Sequence, residues 1–347
     1  MKTAVKPNLY SLTRAQIVDL LAGWGYSTFH AARVWEMLYT HRPRTELRAD
    51  LQADLAARTI APMPIADVSL VSNDGFTRKY LLRLADGETI ETVLMYFKGR
   101  ATACVSSQVG CAMGCVFCAT GQMGFNRHLS AGEIVTQVLF VDEILRQEGS
   151  QLRNVVFMGM GEPLHNYDAT LTAVSILTDQ KGLSLAPKHI TISTVGIVPA
   201  IRRLADDPQP VMLAISLHGA TDAERQALVP PAKRWPLDEL IAACHYYIEK
   251  RRRRIFFEWA LIAGENDTPE QAHALGELLA GMDAHVNLIP LNPTQGYDGQ
   301  PTDKTAVSQF QSILAQYNLP STVRQRRGID IAAGCGQLKA ASEQAGK

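Results

Sequence analysis

Three patterns of apolar spacing divide the chain. Between residues 10 and 60 the spacing is helical. Ile17, Leu20, Leu21 and Trp24 recur at i, i+3, i+4 and i+7, which puts them on one helix face. Thr13 and Gln16 form a capping box that would start this helix, and Gly23 and Gly25 would end it. Ala31, Val34, Trp35 and Leu38 make a second stripe, and Leu47, Leu51 and Leu55 a third. Pro62 and Pro64 break the pattern. From Ile65 to Tyr96 the spacing turns β-like. KYLLRLADGETIETVLMY, residues 79–96, has two alternating runs about Asp86 and Gly87, a strong hairpin signal.

After Arg100 short apolar runs alternate with helical patterns. The runs at 103–108, 154–158, 189–195, 211–217, 255–262 and 285–290 read as buried strands. Helices are expected near 130–146, 168–179, 197–205, 236–250 and 269–281, the first opened by a capping box of Ser130 and Glu133. Such alternation predicts a parallel α/β sheet. Six βα units suit a partial barrel, with one further strand available near 321–325. The expected organisation is a helical domain at 1–62, a β-hairpin extension at 63–99 and an α/β core at 100–340 that includes a C-terminal cysteine segment. In folds of this class the chemistry lies at the carboxyl ends of the strands. Gly159 to Pro163, Ser193, Thr194, Ser216 to His218 and Asn292 all fall there.

Composition narrows the function. The chain has 347 residues, 46% hydrophobic and 20% charged, as in an ordinary soluble protein. Lys and Arg (34) balance Asp and Glu (34), so any nucleic-acid site must rest on local patches. Three such patches exist: a mildly basic N-terminal stretch, the run Lys250 to Arg254, and Arg324, Arg326 and Arg327. No apolar run approaches the ~18 residues of a membrane span, and the N-terminus lacks a signal-peptide core. A cytoplasmic chain without a membrane partner is expected, where lasting disulfides are rare. Its six cysteines therefore call for metal, catalysis or packing. Cys244 lies in an apolar helical stretch and reads as a small buried residue.

Cys111, Cys115 and Cys118 form a C-x3-C-x2-C loop. Thiolates favour zinc and iron–sulfur clusters. Structural zinc takes four ligands, and Cys104 is a candidate fourth, which leaves a zinc-stapled, non-catalytic RNA-binding protein as one reading. The spacing, with Phe117 before the last cysteine, resembles instead the loop of radical S-adenosylmethionine (SAM) enzymes. Three thiolates on a [4Fe–4S] cluster leave one iron open for the amino and carboxylate groups of SAM. Gly159, Gly161 and Glu162 resemble the glycine-rich loop with which such enzymes hold the SAM amino group.

Wider segments resemble the RlmN-type adenine-C2 RNA methyltransferases, with the Cfr-type C8 enzymes as near relatives. They are ETVLMY at 91–96, the stretch 103–134 around the cysteines, FMGMGEPLHN at 157–166, ITISTVGIVPAI at 190–201, AISLH at 214–218, NLIPLNP at 287–293 and RRGIDIAAGCGQL at 326–338. Pro163 and the GFNRHL segment favour the RlmN type. One departure is Gly334, where members usually carry Ala. The resemblance implies one cluster per chain and two SAM molecules per turnover. It implies that Cys335 accepts a methyl group from the first SAM, and that a radical from the second activates this methyl for transfer to adenine of 23S rRNA and of a subset of tRNAs. Cys104 would then resolve the adduct through a transient disulfide with Cys335, and Glu91 would accept the proton. Gly161, Glu162, Ser193, Ser216, Leu217, His218 and Asn292 are the implied SAM contacts. A monomer supplied by an electron donor such as flavodoxin completes the expectation.

Overall fold

The computed structural model describes residues 6–40 and 46–339. Three helices come first: α1 (Arg14–Ala22), α2 (Thr28–Tyr39) and α3 (Ala49–Arg58). The Thr13–Gln16 capping box forms in both directions, and Gly23 caps the C-terminus of α1. The three apolar stripes face inward. Ile17, Leu21, Val34, Trp35 and Leu51 are at most 1% exposed, in one continuous core with the strands and helices that follow.

Next, β1 (Ile65–Val71), β2 (Thr77–Arg83), β3 (Thr89–Phe97) and β4 (Arg100–Cys104) pair antiparallel in sequence order. The hairpin is therefore no separate appendage. Through β3 and β4 it continues into the main sheet, whose ten strands run β1-β2-β3-β4, then the parallel series that the chain builds afterwards.

That series starts with a detour. After β4, the short strands β5 (Gln108–Gly110) and β6 (Phe125–His128) form their own small sheet around the cysteine loop and the one-turn helix α4 (Ala119–Gln122). Helix α5 (Ala131–Gln147) follows, opened by the Ser130–Glu133 capping box. Then come β7 (Leu152–Phe157), α6 (Tyr167–Thr178), β8 (Ile190–Thr194), α7 (Val198–Asp206) and β9 (Met212–Ser216). Helices α8 (Asp222–Leu228) and α9 (Leu237–Arg251) lead to β10 (Ile255–Leu261). Helix α10 (Pro269–Leu278), β11 (Ala284–Pro290), α11 (Lys304–Gln316) and β12 (Ser321–Val323) end the sheet. Strands β4, β7, β8, β9, β10, β11 and β12 are parallel neighbours in that order. This is the expected α/β partial barrel, with β12 as its last strand. Helices α8 and α11 and the small β5–β6 sheet are additions to the sequence reading.

In a parallel series every carboxyl end opens on the same side. There the chain places the cysteine loop and Gly159, Ser193, Ser216 and Asn292, each just within or beyond its strand. The run Lys250 to Arg254 precedes β10 and so lies at the opposite, amino end of the sheet. Its members close local contacts there, such as Arg254 Nε to Asp283 at 2.8 Å. Among the described residues no helix is long and apolar enough to cross a membrane.

Candidate active site

A cavity of about 960 Å³, counted to its open mouth, occupies the carboxyl ends of the strands. Its walls include Cys111, Cys115, Cys118, Gly161, Glu162, Ser193, Ser216, His218, Asn292 and Cys335. Most of the residues that the sequence singles out thus converge on one space. Leu217 does not line it. It is fully buried in the core, and its N–H donates to Glu258 O at 3.0 Å. Glu91 and Cys104 also lie outside the wall.

Backbone geometry shapes the cysteine loop. Gly110 has φ 74°, and a Cβ there would stand 2.1 Å from Gly124 O. Only glycine lets β5 and β6 close so tightly, and Cys111 N then donates to Gly124 O at 2.8 Å. Burial pushes the Cys111 thiol up to about 12. Cys115 is held well above the usual thiol range by burial and by the charges of Cys118 and Cys111. Thiols so disposed give up their protons to a cation, because metal binding displaces them. That is the donor chemistry an iron–sulfur cluster requires.

Glu162 is set by the turn after β7. Gly161 has φ 97°, and a Cβ on it would meet Gln108 Cβ at 2.5 Å. Gln108 Oε1 accepts from Glu162 N at 2.9 Å. The Glu162 carboxylate accepts from Leu164 N (2.9 Å) and Val195 N (2.8 Å). Burial raises its pKa to about 7 despite these donors. His218 has φ 61° and is buried. Its Nδ1 accepts from Ala260 N at 2.9 Å, so its ring proton is on Nε2. Burial and then the Arg225 charge hold it neutral, with a pKa of about 3. Phe117 packs edge-on against it at 4.8 Å.

Cys335 reaches the cavity because its segment is tied on several sides. Asn292 Nδ2 donates to Cys335 O (3.1 Å), Ala119 N to Gly336 O (2.7 Å) and Thr120 Oγ1 to Leu338 O (2.6 Å). Gln337 Nε2 donates to Pro293 O at 2.9 Å. A Cβ on Gly334 would stand 2.7 Å from Asn292 Nδ2, so the glycine and the Asn292 anchor go together. Cys335 is exposed on its segment, yet its desolvated surroundings raise the thiol pKa. The Glu258 charge adds to this and Arg324 opposes it. Cys104, at the end of β4, is close enough to Cys335 to be raised by its charge, though burial is the larger cause.

Glu91 sits in a separate buried nook. Its Oε1 pairs with Lys79 Nζ at 2.9 Å and its Oε2 accepts from Lys339 N at 2.8 Å. Lys79 Nζ also donates to Ala332 O at 3.1 Å, which ties the hairpin to the Cys335 segment.

Residues 105–275 match the radical SAM superfamily. The chain is 60% identical to the dual-specificity RNA methyltransferase RlmN 1 of Myxococcus xanthus, over 99% of this chain and 97% of that protein. The chain belongs to the RlmN family of radical SAM RNA methyltransferases. A ribosomal RNA large subunit methyltransferase N from Nitrosopumilus maritimus is 42% identical over 96% of this chain and 98% of its own. The crystal structure of a radical SAM methyltransferase from Sphaerobacter thermophilus superposes with a TM-score of 0.93 at 44% identity, covering 96% of this chain and all of that one. Membership of this family implies SAM and a [4Fe–4S] cluster, which the cavity and its three thiols fit.

Sequence reading does not single out Lys79, which pairs with Glu91 outside the cavity, or Glu258, which lines the cavity. Glu258 was read only as part of an apolar strand, although a lone carboxylate inside a buried parallel strand is itself a signal, since its burial is costly unless it is used.

Proposed function

We propose that this enzyme methylates carbon 2 of adenine in 23S rRNA and in a subset of tRNAs, with Cys335 as the carrier of the methyl group. The placement of Cys335 carries the reading. It lies 217 positions after Cys118 in sequence, 335 less 118, yet lines the same cavity. The printed names of the relatives, dual-specificity and large-subunit RNA methyltransferase, support the two RNA classes. Pro163, in the GMGEP turn, supports carbon 2 over carbon 8.

Bound in the cavity, one cluster and two SAM molecules per turnover supply a methyl group and a radical that abstracts hydrogen. The chain's own residues bind, orient and move protons. Cys111, Cys115 and Cys118 hold the cluster. Gly161 opens the backbone to the ligand, and the Glu162 carboxylate takes the SAM amino group. Ser193, Ser216, His218 and Asn292 orient the rest of SAM, with neutral His218 offering Nε2–H. Cys335 presents its sulfur, Cys104 stands behind it to close the resolving disulfide, and Glu91 accepts the proton lost by the base. Arg324, Arg326 and Arg327 flank this segment and make its surroundings basic, which would draw RNA phosphates there and position the substrate without reading its sequence. Residues 1–62 form an accessory RNA-binding unit, 63–99 an extension and 100–340 the catalytic core. The enzyme works in the cytoplasm as a monomer, with a flavodoxin-type electron donor.

The test is product mapping. Mass spectrometry of RNA from cells with and without the gene is expected to place the methyl on adenine C2. Methylation at C8 would overturn the regiochemistry and favour the Cfr-type reading. Cys335→Ala is expected to abolish RNA methylation while the anaerobically purified protein keeps about four irons per chain. Retained methylation would refute the carrier role. Zinc in place of iron would return the zinc-stapled reading.

A further inference from the structure

We propose that Glu258 is the base that takes the thiol proton of Cys335 when this cysteine is methylated by SAM. The inference rests on Cys335 as the methyl carrier and extends it to a residue that the sequence did not single out.

Glu258 is the one acid in β10, a strand otherwise apolar from Ile255 to Leu261. Its neighbours in register are Ser216 on β9 and Asn287 on β11. The residue is 6% exposed and lines the same cavity as Cys335. Asn287 Nδ2 donates to its Oε1 at 2.8 Å, and Arg324 Nη2 stands 3.9 Å from the same oxygen. Among the described residues none donates a hydrogen bond to Oε2. One oxygen is thus fixed and the other is left for a proton. A buried carboxylate held this way is costly unless it has a task.

The charges around the pair fit that task. The charges that act on Cys335 are those of Glu258 on β10, Arg324 beyond β12 and Cys118 in the cysteine loop. Cys104 on β4 senses the Cys335 charge, and Arg326 Nε reaches Asn292 Oδ1 at 3.4 Å behind the segment. Desolvation by its surroundings, and then the Glu258 charge, raise the thiol pKa of Cys335, so the thiolate that displacement requires is scarce at neutral pH. Burial also raises Glu258 above the ordinary carboxylate range, with Arg324 and Asn287 acting against it. A carboxylate raised in this way is a stronger proton acceptor than an exposed one.

In the step itself the S–H bond of Cys335 breaks and its proton passes to the Glu258 carboxylate across water in the cavity. The sulfur forms a bond to the methyl carbon of SAM. The methyl–sulfonium bond breaks, and its electron pair stays on the thioether of S-adenosylhomocysteine. Nothing is oxidised or reduced. Glu258 ends protonated and returns its proton to solvent through the cavity mouth.

The test uses cluster-loaded full-length protein given SAM without reductant. Methylation of the Cys335 peptide is followed by mass spectrometry across pH. Glu258→Gln is expected to slow it about a hundredfold near neutral pH and to approach the parent rate as pH rises through the thiol's own ionisation. Alkylation of Cys335 by iodoacetamide in the SAM-free protein is expected to show the same loss and the same recovery. A Gln variant modified as fast as the parent, or faster, overturns the proposal. That is the outcome if the carboxylate acts only by its charge, since removing it would make the thiol more acidic. Should the Gln variant lose its iron, Glu258→Asp decides. A slower reaction with the parent pH profile upholds the base, and a profile displaced to the thiol's ionisation overturns it. If the parent protein itself gains no methyl on Cys335, the carrier reading fails instead, and this proposal falls with it.

Discussion

Lys79 and Glu91 form an ion pair whose side chains are 10% and 5% exposed. Removing one partner of such a pair leaves a buried charge that has lost its compensation. Lys79→Met is therefore expected to cost about 3–5 kcal/mol, read from urea unfolding of the cluster-free chain. The double variant Lys79→Met with Glu91→Leu should recover most of that loss. A single variant as stable as the parent would show that water reaches the carboxylate after all. The pair also marks what the sequence could and could not reveal. Alternation placed residue 91 on a hairpin strand, but hairpin strands commonly have a wet face. Position 91 is dry because β3 continues into β4 and the C-terminal segment covers it, contacts that span up to 248 residues. No local pattern encodes those distances. The three cysteines of the loop were legible for the opposite reason, since their spacing is set within eight residues.

At the scale of elements, those with local start signals were read most easily. Ser130 and Glu133 cap α5 in both directions, and Glu133 also pairs with Arg127 at 2.8 Å. Ser130→Ala should cost about 1 kcal/mol, measurable as a lower unfolding midpoint with the cluster content unchanged. Gly161 is a stricter junction. Alanine there meets both a left-handed φ and Gln108, so Gly161→Ala is expected to weaken SAM binding about tenfold or more, as strain of 1–3 kcal/mol would. Calorimetry on cluster-loaded protein checks it, and unchanged affinity would show that the turn yields. Strands β5 and β6 escaped the sequence reading because three- and four-residue strands carry too little periodicity. Helix α11 does carry a stripe, Val307, Phe310, Ile313 and Leu314. It follows a Pro- and Gly-containing stretch that reads as loop, and the last strand drew the reading past it.

Over the whole molecule, the N-terminal helices and the barrel share one apolar core. Leu9 N bonds Ile60 O at 2.9 Å, closing the N-terminal unit on itself. Gly132 on α5 donates to Ser11 Oγ at 3.0 Å, and a Cβ on Gly182 would stand 3.1 Å from Trp35 Nε1, a tight contact with α2. A chain that begins after residue 62 would expose the outer face of α5. It is expected to melt at least about 5 °C lower than the full chain, a shift that a loss of about 3 kcal/mol produces in a domain of this size. An unchanged melting temperature would mean that the core divides at that boundary. Strand alternation foretold the barrel, while this shared packing depends on apolar faces whose partners the sequence does not name.

The ties on the Cys335 segment also put the site in an order of time. A ribosome makes the cysteine loop, the glycine turn and every strand end before it reaches residue 335. The Ala119 N–H on α4, the Asn292 amide and the Lys79 ammonium, which hold this segment, all precede it in the chain. If Cys335 carries the methyl group as proposed, a chain cut before residue 335 would own the whole cysteine loop and still lack the receiving sulfur. The few hydrogen bonds that seat residues 332–338 would then be what turns a radical-generating scaffold into a methyltransferase.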